Sequence, residues 1–504
     1  MLTPRQTSST TCTLSLLAAL TGACSGFADT GSFDSNTGYE EGNDEQGDEQ
    51  GDESGMHEET GDDDESGGQA CDAETPVTLY LSPDDSNSTA SPVLVRAAVL
   101  GGESLAGAPI RTWEFLNYYA FPYPAAEPGA LAVWPEIARI DGAPDGQYVV
   151  QIGVSSESMA NADRPLMNVT LVLDESGSMD GHPMAMQRAV CRRIAASLRA
   201  GDVVSMVGWD TENAVKLAGH VVTAASDPTI LDQCDALAAG GGTDLHGGLS
   251  AGYDLAHEQY DPERINRVVL VSDGGANAGV TDLDIIAAGA GDQNADGIYL
   301  VGVGVGTSQT YNDRLMDTVT DTGRGAALFV PTADEADRMF GDRFVQTMAV
   351  AARDVRVRLE MPPGFEIVKF SGEEYSSNAA DIEPQHLAPG DAMVFHQTVE
   401  TCAPQLVDDE ATFTFTVRWK DAVTLEEQNV TTERKIHELV DTESPMLKKG
   451  AAVFAYAEAL KAYKLSQTSD ALSPAFTALA IAEAAIPSDP DLAEIRQILQ
   501  ALPL

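Results

Sequence analysis

The stretch that decides the fold is VTLVLDESGS, residues 169–178. Its first five residues are apolar apart from one threonine, which favours a strand buried on both faces. The loop that follows offers Asp174, Ser176 and Ser178 at alternate positions, and Gly177 allows a tight turn. Ligands bind at the carboxyl ends of strands in open parallel sheets. This loop therefore predicts a binding site.

The chain around this stretch alternates apolar, strand-like runs with helix-like segments. The other strand-like runs are VVSMVGW (203–209), VVLVSD (268–273), IYLVGVG (298–304) and AALFV (326–330). The helix-like segments lie near 183–199, 227–239, 248–258, 282–289 and 333–344. Buried strands separated by amphipathic helices predict a largely parallel sheet covered on both faces. We expect a doubly wound, Rossmann-like α/β domain over residues 167–346.

Strand-like segments also lie on both sides of this domain. They are VTLYL (77–81), VLVRAAVL (93–100) and YVVQIGVSS (148–156) before it, and VRVRLEM (355–361), MVFHQTV (393–399), ATFTFTVRW (411–419) and QNVTTERKIH (428–437) after it. We predict β-rich regions at 76–166 and 347–442 that form one β-sandwich, because the ends of an inserted domain usually lie close together.

Two further segments are assigned by composition. The aromatic stretch 111–124 is expected to pack the β-rich region against the α/β domain, and a binding patch is the alternative. The Ala-rich sequence at 443–504 predicts a C-terminal helical region that packs on the sandwich, and a partner-binding helical hairpin is the alternative.

The chain has 504 residues and a formal net charge of −50. Such a chain repels phosphate backbones, so we predict no nucleic-acid partner, and it repels anionic lipid surfaces too.

Residues 31–75 contain 17 of the acidic residues and no Lys or Arg. We expect 25–75 to be a disordered acidic linker, because it has too few large apolar residues to form a core. Weak calcium binding is the alternative.

Residues 1–24 have the pattern of an export signal. Arg5 precedes the short apolar run LSLLAAL (14–20), and Thr-Gly-Ala-Cys follows at 21–24. This is similar to a bacterial lipoprotein signal, which implies that Cys24 carries lipid. The sequence differs from the usual lipoprotein signal in one respect. The usual signal has a leucine three positions before the cysteine, whereas Leu20 lies four positions before Cys24. An ordinary secretory signal cut nearby is the alternative.

The remaining cysteines agree with export. Four lie beyond Cys24, and in an oxidising compartment they permit two disulfides. We predict Cys191–Cys234, on successive helices of the α/β domain, and Cys71–Cys402, which flank that domain. Free buried thiols are the alternative.

Two more loops are predicted at the sheet edge that bears Asp174. The loop Gly240-Gly241-Gly242-Thr243 offers a hydroxyl, and Asp273 follows a buried strand. Asp-x-Ser-x-Ser, Gly-Gly-Thr and strand-Asp-Gly, in this order, resemble the von Willebrand factor type A (VWA) family over about residues 168–345. In that family the matching residues surround a divalent cation, at the metal-ion-dependent adhesion site. The resemblance implies that this site consists of Asp174, Ser176, Ser178, Thr243 and Asp273, the last acting through water.

The flanks carry a narrower resemblance. The stretches WEFLNYYAFPYP (113–124), YLVGVGVGTSQTYNDRLMD (299–317) and RDVRVRLEMPPGFEIVKFSG (353–372) are similar to a group of bacterial envelope proteins. In those proteins a VWA domain lies between N-terminal and C-terminal flanking regions. The resemblance spans about residues 75–500 and implies this architecture without implying a reaction.

These patterns predict a binding protein and not an enzyme. Hard oxygen donors suit Mg²⁺, with Mn²⁺ or Ca²⁺ as alternatives. The cation would accept an acidic side chain of a protein ligand, on an exported protein held to a membrane of the cell envelope by lipid. The alternative function is a structural or assembly factor that uses the VWA domain as a scaffold.

GLSAG (248–252) fits the G-x-S-x-G pattern of hydrolases, with Ser250 as nucleophile, but no strand precedes it.

Overall fold

The computed structural model describes residues 71–83, 88–140, 142–275, 297–323, 325–408, 410–440 and 444–503. The predicted export signal with Cys24, nearly all of the acidic linker and the predicted helix at 282–289 lie outside the described residues. No described helix combines the length and the apolar content needed to cross a bilayer.

The described strands are numbered in chain order. They are β1 (Val77–Ser82), β2 (Ala132–Arg139), β3 (Gln147–Ser155), β4 (Met167–Asp174), β5 (Val203–Trp209), β6 (Asn213–Val221), β7 (Ile265–Ser272), β8 (Tyr299–Val305), β9 (Ala326–Val330), β10 (Ala352–Met361), β11 (Phe365–Phe370), β12 (Glu374–Ser376), β13 (Gln385–Leu387), β14 (Ala392–Thr401), β15 (Thr412–Asp421) and β16 (Glu427–Lys435).

The described helices are numbered in the same way. They are α1 (Ala90–Gly101), α2 (Thr112–Tyr118), α3 (His182–Ser197), α4 (Pro228–Ala236), α5 (Leu245–Glu258), α6 (Asp313–Thr322), α7 (Ala333–Asp337), α8 (Phe344–Met348), α9 (Ile436–Val440), α10 (Pro445–Ser466), α11 (Ser473–Ala485) and α12 (Pro490–Ala501). A π-helical turn, Arg338–Asp342, separates α7 from α8.

The α/β sheet has the strand order β6-β5-β4-β7-β8-β9. Its strands are parallel except β6, which pairs antiparallel with β5 at one edge. Every residue of β4 is buried, as expected for a central strand covered on both faces. The predicted doubly wound fold is confirmed.

The flanking strands form two further sheets. The front sheet has the order β11-β14-β3-β2, and the back sheet has the order β12-β1-β10-β15-β16, with β13 also paired to β10. Their inner faces share one hydrophobic core, in which Ile152 and Phe395 of the front sheet meet Leu359 and Phe415 of the back sheet. Each sheet contains strands from both sides of the α/β domain, so the predicted sandwich around an inserted domain is confirmed.

The prediction of a strand at 93–100 is wrong, because this segment lies in helix α1. Val95 and Ala98 are fully buried, in a core that α1 shares with β9 and the C-terminal helices. A helix buried on most sides has a nearly continuous apolar sequence, and periodicity alone does not separate it from a buried strand.

The aromatic stretch 111–124 contains helix α2 and packs mainly on helix α10. The rings of Phe115 and Tyr119 lie 5.4 Å and 6.4 Å from that of Tyr456. The same hydrophobic cluster extends to Leu300 and Phe329 of the α/β sheet. The aromatic rings therefore link the α/β domain to the C-terminal helices, and Tyr123 also stacks on Trp134 of β2 in the β-rich region, as expected.

Helix α10 packs on the outer face of the front sheet, as predicted for the C-terminal region. At Gly450 the helix comes so close that a Cβ atom would lie 1.8 Å from Oε1 of Gln151. The ring Nδ1 of His396 lies 2.9 Å from the same oxygen, to which it donates a hydrogen bond. Gly450 is therefore required for this contact.

Both predicted disulfides are present. Cys71 is bonded to Cys402, and Cys191 is bonded to Cys234, with a Cα–Cα distance of 5.7 Å in each pair. The first bond joins the segment before β1 to the segment after β14, and the second joins α3 to α4.

The buried His396 predicts a pH-dependent stability. Burial lowers the pKa of its imidazole to about 4. The unfolded chain then binds more protons than the folded chain between about pH 4 and 6.5, so stability rises with pH across this window. We expect a loss of about 3 kcal/mol from this group as the pH falls from 7 to 4.

The measurement compares urea unfolding of the wild type and His396→Gln at pH 4, 5, 6 and 7. The variant should lose this part of the pH dependence, whereas His246→Gln, which changes a half-buried histidine on α5, should keep it. Equal pH profiles for the wild type and His396→Gln would contradict the assignment.

Candidate metal centre

Asp174 is the last residue of the central strand β4, and its side chain is fully buried. One carboxylate oxygen, Oδ1, accepts a hydrogen bond from the backbone N–H of Ser176 at 2.8 Å. The other, Oδ2, accepts one from the hydroxyl of Ser272 at 2.7 Å. Both carboxylate oxygens are thus oriented by the loop and by the neighbouring strand β7.

A buried glutamine of helix α3 holds the backbone at the same residue. The amide Oε1 of Gln187 accepts a hydrogen bond from the N–H of Asp174 at 3.1 Å, and its Nε2 donates to the carbonyl of Asp174 at 2.7 Å. This two-point contact positions the start of the loop. Neither Gln187 nor Ser272 was predicted, because their roles follow from contacts between elements distant in sequence.

The other four predicted residues lie in three loops that meet at this edge of the sheet. The hydroxyls of Ser176 and Ser178 are 3.1 Å apart. A Cβ atom on Gly275 would lie 3.4 Å from Asp273 Oδ1, 3.5 Å from Thr243 Cγ2 and 3.8 Å from Ser178 Oγ. The structure therefore brings the predicted residues together.

Backbone hydrogen bonds fix the first two loops against each other. The N–H of Gly177 donates to the carbonyl of Gly241 at 3.2 Å, and the N–H of Gly240 donates to the carbonyl of Glu175 at 2.6 Å. The side chain of Glu175 turns to Lys216, with 2.7 Å between Oε2 and Nζ. The Glu175 carboxylate therefore forms an ion pair with Lys216, although Glu175 lies within the Asp-x-Ser-x-Ser motif.

The electrostatics of the site favour a cation. Burial raises the pKa of Asp174 to about 6, and the nearby charge of Asp273 adds to the increase, against hydrogen bonds from Ser176 and Ser272. Among the described residues, neither Asp174 nor Asp273 forms an ion pair with Lys or Arg. A buried carboxylate without a cationic partner is costly unless an ion compensates it.

The donor set fits a hard divalent ion. The predicted residues supply carboxylate and hydroxyl oxygens, which Mg²⁺, Mn²⁺ and Ca²⁺ prefer, and they offer neither sulfur nor imidazole. Clusters of three or more His, Cys, Asp or Glu side chains suited to a metal are not found in the described ranges. At this edge the hydroxyls of Ser176, Ser178 and Thr243 would have to complete the coordination.

The G-x-S-x-G segment lies inside helix α5 and not on a strand-to-helix turn. Cβ atoms on Gly248 and Gly252 would lie 2.5 Å from Trp209 Cγ and 2.3 Å from Val172 Cγ2. Ser250 is on the exposed side of the helix. The two glycines allow the helix to approach the sheet, which explains the pattern without a nucleophile.

This packing predicts that Gly252→Ala destabilises the protein by about 1–3 kcal/mol, because the added methyl overpacks the contact with Val172. The loss is expected although alanine is the better helix former. Urea unfolding measures it, with Ser250→Ala, expected within about 0.5 kcal/mol of the wild type, as the control. A stabilised Gly252→Ala variant would refute the close contact.

Comparisons with known proteins match part of the chain. A family model of the von Willebrand factor type A domain matches residues 169–276. An uncharacterized protein of Escherichia coli, YfbK, is 25% identical over 267 residues, which are 51% of this chain and 45% of that protein. An uncharacterized protein of Synechocystis, sll0103, is 23% identical over 222 residues, 44% of this chain and 51% of that protein. The matches thus span about half the length of these relatives.

Solved structures are similar at low sequence identity. A von Willebrand factor type A protein from Catenulispora acidiphila has a TM-score of 0.46 and 15% identity, covering 73% of this chain and 88% of that one. The domain match covers β4 to the segment after β7, where the five predicted residues lie. Residues 169–276 of this chain therefore match the von Willebrand factor type A domain.

Proposed function

We propose that this protein captures a protein partner through a divalent cation held by Asp174, Ser176, Ser178, Thr243 and Asp273. The observation that carries the proposal is the buried Asp174 carboxylate, which has no Lys or Arg partner among the described residues and lies beside the other four side chains. Mg²⁺ is the first choice of ion, with Mn²⁺ or Ca²⁺ as alternatives.

The residue types at the site explain why a partner's carboxylate would bind. Hydroxyls are neutral donors, so a cation bound mostly by them keeps more of its charge than one bound by three or four carboxylates. An open coordination position then accepts an acidic side chain. Ser178 lies on the exposed side of the loop, where a partner has access.

The cation also resolves an electrostatic conflict. At a net charge of −50 the protein repels acidic surfaces. A bound divalent ion reverses the sign of the charge locally. Capture of an acidic side chain would therefore depend on the ion.

Asp174→Ala is expected to weaken Mg²⁺ and Mn²⁺ binding by at least about 100-fold, because it removes a buried carboxylate ligand. Titration calorimetry on the metal alone measures this loss. Asp232→Ala, which removes an exposed carboxylate from α4, is the matched control and should bind as the wild type does. Unchanged affinity in Asp174→Ala would remove the site assignment, provided near-ultraviolet circular dichroism shows a native fold.

The second candidate function is a structural or assembly factor of the envelope. The hydrophobic core that the α/β sheet shares with the flanking helices favours it, because such a core suits a fixed scaffold. A pull-down from envelope extract, with Mg²⁺ or with EDTA, separates the two functions. Partner loss in EDTA and in Asp174→Ala supports cation-dependent capture, whereas capture that survives both supports the scaffold.

We further propose that the protein is exported to the cell envelope and carries lipid on Cys24. The two disulfides are compatible with an oxidising compartment. The expected result is incorporation of a labelled fatty acid by the wild type and none by Cys24→Ala. Equal incorporation by both chains would exclude Cys24 as the lipid attachment site.

A further inference from the structure

The outer face of the back sheet carries a groove of about 520 Å³ that is lined by four basic side chains and by the carboxylates of Asp354 and Glu427. Alternate residues of β10 and β15 point away from the sandwich core, because Val357, Leu359 and Val417 are buried inside it. The outward positions place four cations along the groove. We call it the basic groove; it is defined by Arg356, Arg358, Arg418 and Lys420.

Two of these cations are direct neighbours across the strands. In the register of β10 with β15, Arg356 lies opposite Arg418. Like charges opposite each other on one face of a sheet destabilise it. On the other side, β16 places uncharged Asn429 opposite Arg418, and its carboxylate Glu427 lies opposite Lys420 at the next outward position.

The other two cations of the groove have acidic partners. Arg358 bonds to Glu360 at 2.8 Å, and Lys420 bonds to Asp354 at 2.6 Å. The pair Arg356 and Arg418 differs from them. Within the described residues, neither of the two is paired with a carboxylate.

The guanidinium of Arg356 is instead held in place by backbone. Its Nη1 donates to the carbonyls of Ala379 and Ile382, at 2.7 Å and 3.0 Å. Carbonyls fix the side chain without neutralising its charge. Arg418 is exposed and lies next to it in the register. Two arginines without acidic partners among the described residues thus occupy facing positions on neighbouring strands, in a chain with only 29 Lys and Arg residues against 79 Asp and Glu.

The groove also contains neutral polar groups. The hydroxyls of Thr416 and Thr431 lie 3.2 Å apart, beside Arg358 in the register. The Asn429 side chain lines the groove as well. Guanidinium, hydroxyl and amide groups are the donors that bind oxyanions, and guanidinium is suited to phosphate and sulfate because it donates two parallel hydrogen bonds.

We propose that the basic groove is a binding site for a doubly charged oxyanion, a phosphate or sulfate group, held between Arg356 and Arg418. A dianion neutralises both guanidinium groups at once and removes their mutual repulsion. The site is independent of the cation proposed at Asp174, since it lies on a different sheet and binds the opposite charge.

Thermal unfolding tests the proposal on the full-length protein in EDTA, which removes any effect of bound metal. Sodium phosphate and sodium sulfate are each compared with sodium chloride at the same ionic strength. Both oxyanions should raise the Tm more than chloride does, because a ligand that binds only the folded state stabilises it. Failure of both to exceed chloride would overturn the proposal.

Arg418→Gln is the test variant, and Arg434→Gln, which removes an exposed arginine from the adjacent strand β16, is the matched control. Arg418→Gln should raise the Kd for phosphate at least about tenfold, because it removes charge-assisted hydrogen bonds. Without phosphate it should be more stable than the wild type, because the repulsion with Arg356 is gone. If phosphate raises the Tm of the two variants equally, the effect is general screening of charge and the proposed site is refuted.

A further comparison shows whether the bound phosphate or sulfate group is a free ion or is carried on a polymer. Dextran sulfate and inorganic sulfate are titrated at the same sulfate concentration. Tighter binding of dextran sulfate that is lost in Arg418→Gln assigns the groove to groups carried on a polymer. An equal response to both probes assigns it to free ions.

Discussion

The interleaving of strands in the sandwich constrains the rest of the structure. The N-terminal strand β1 lies between β10 and β12, and β3 lies between β2 and β14. Neither the segment before the α/β domain nor the segment after it contains a complete sheet. The sandwich therefore forms only when both ends of the α/β domain lie together, at the side that faces the sandwich. The carboxyl edge of the α/β sheet remains available for the candidate site.

The candidate site depends in turn on where β4 ends. Hydrogen bonds to β5 and β7 fix the strand on both sides, and Gln187 fixes the backbone of its last residue. The five predicted residues could be found from the sequence because they follow apolar strands or a glycine-rich loop. Ser272 and Gln187 could not, since a serine at the end of a strand and a glutamine in a helix are common and acquire their roles only through tertiary contacts.

The fold was predictable where burial leaves a clear pattern. The strands β4, β5, β7, β8 and β9 are apolar and were all predicted. The exposed edge strand β6 was missed because half-exposed residues give no apolar run, and β2 was missed because Pro135 interrupts it, as an edge strand permits. At 93–100 the opposite problem arose: an apolar run fits a buried helix and a buried strand equally well, and only the neighbours of α1 decide between them.

The core shared by the α/β sheet, helix α1 and the C-terminal helices has a mechanical consequence. The α/β domain joins the sandwich through two covalent connections, after β3 and before β10, and it also packs against the helices that rest on the front sheet. A domain on a single linker would swivel under a pulling force. Here a tensile load at the edge that bears Asp174 would pass through close-packed side chains into the sandwich, so the α/β domain and the sandwich would resist shear as one body.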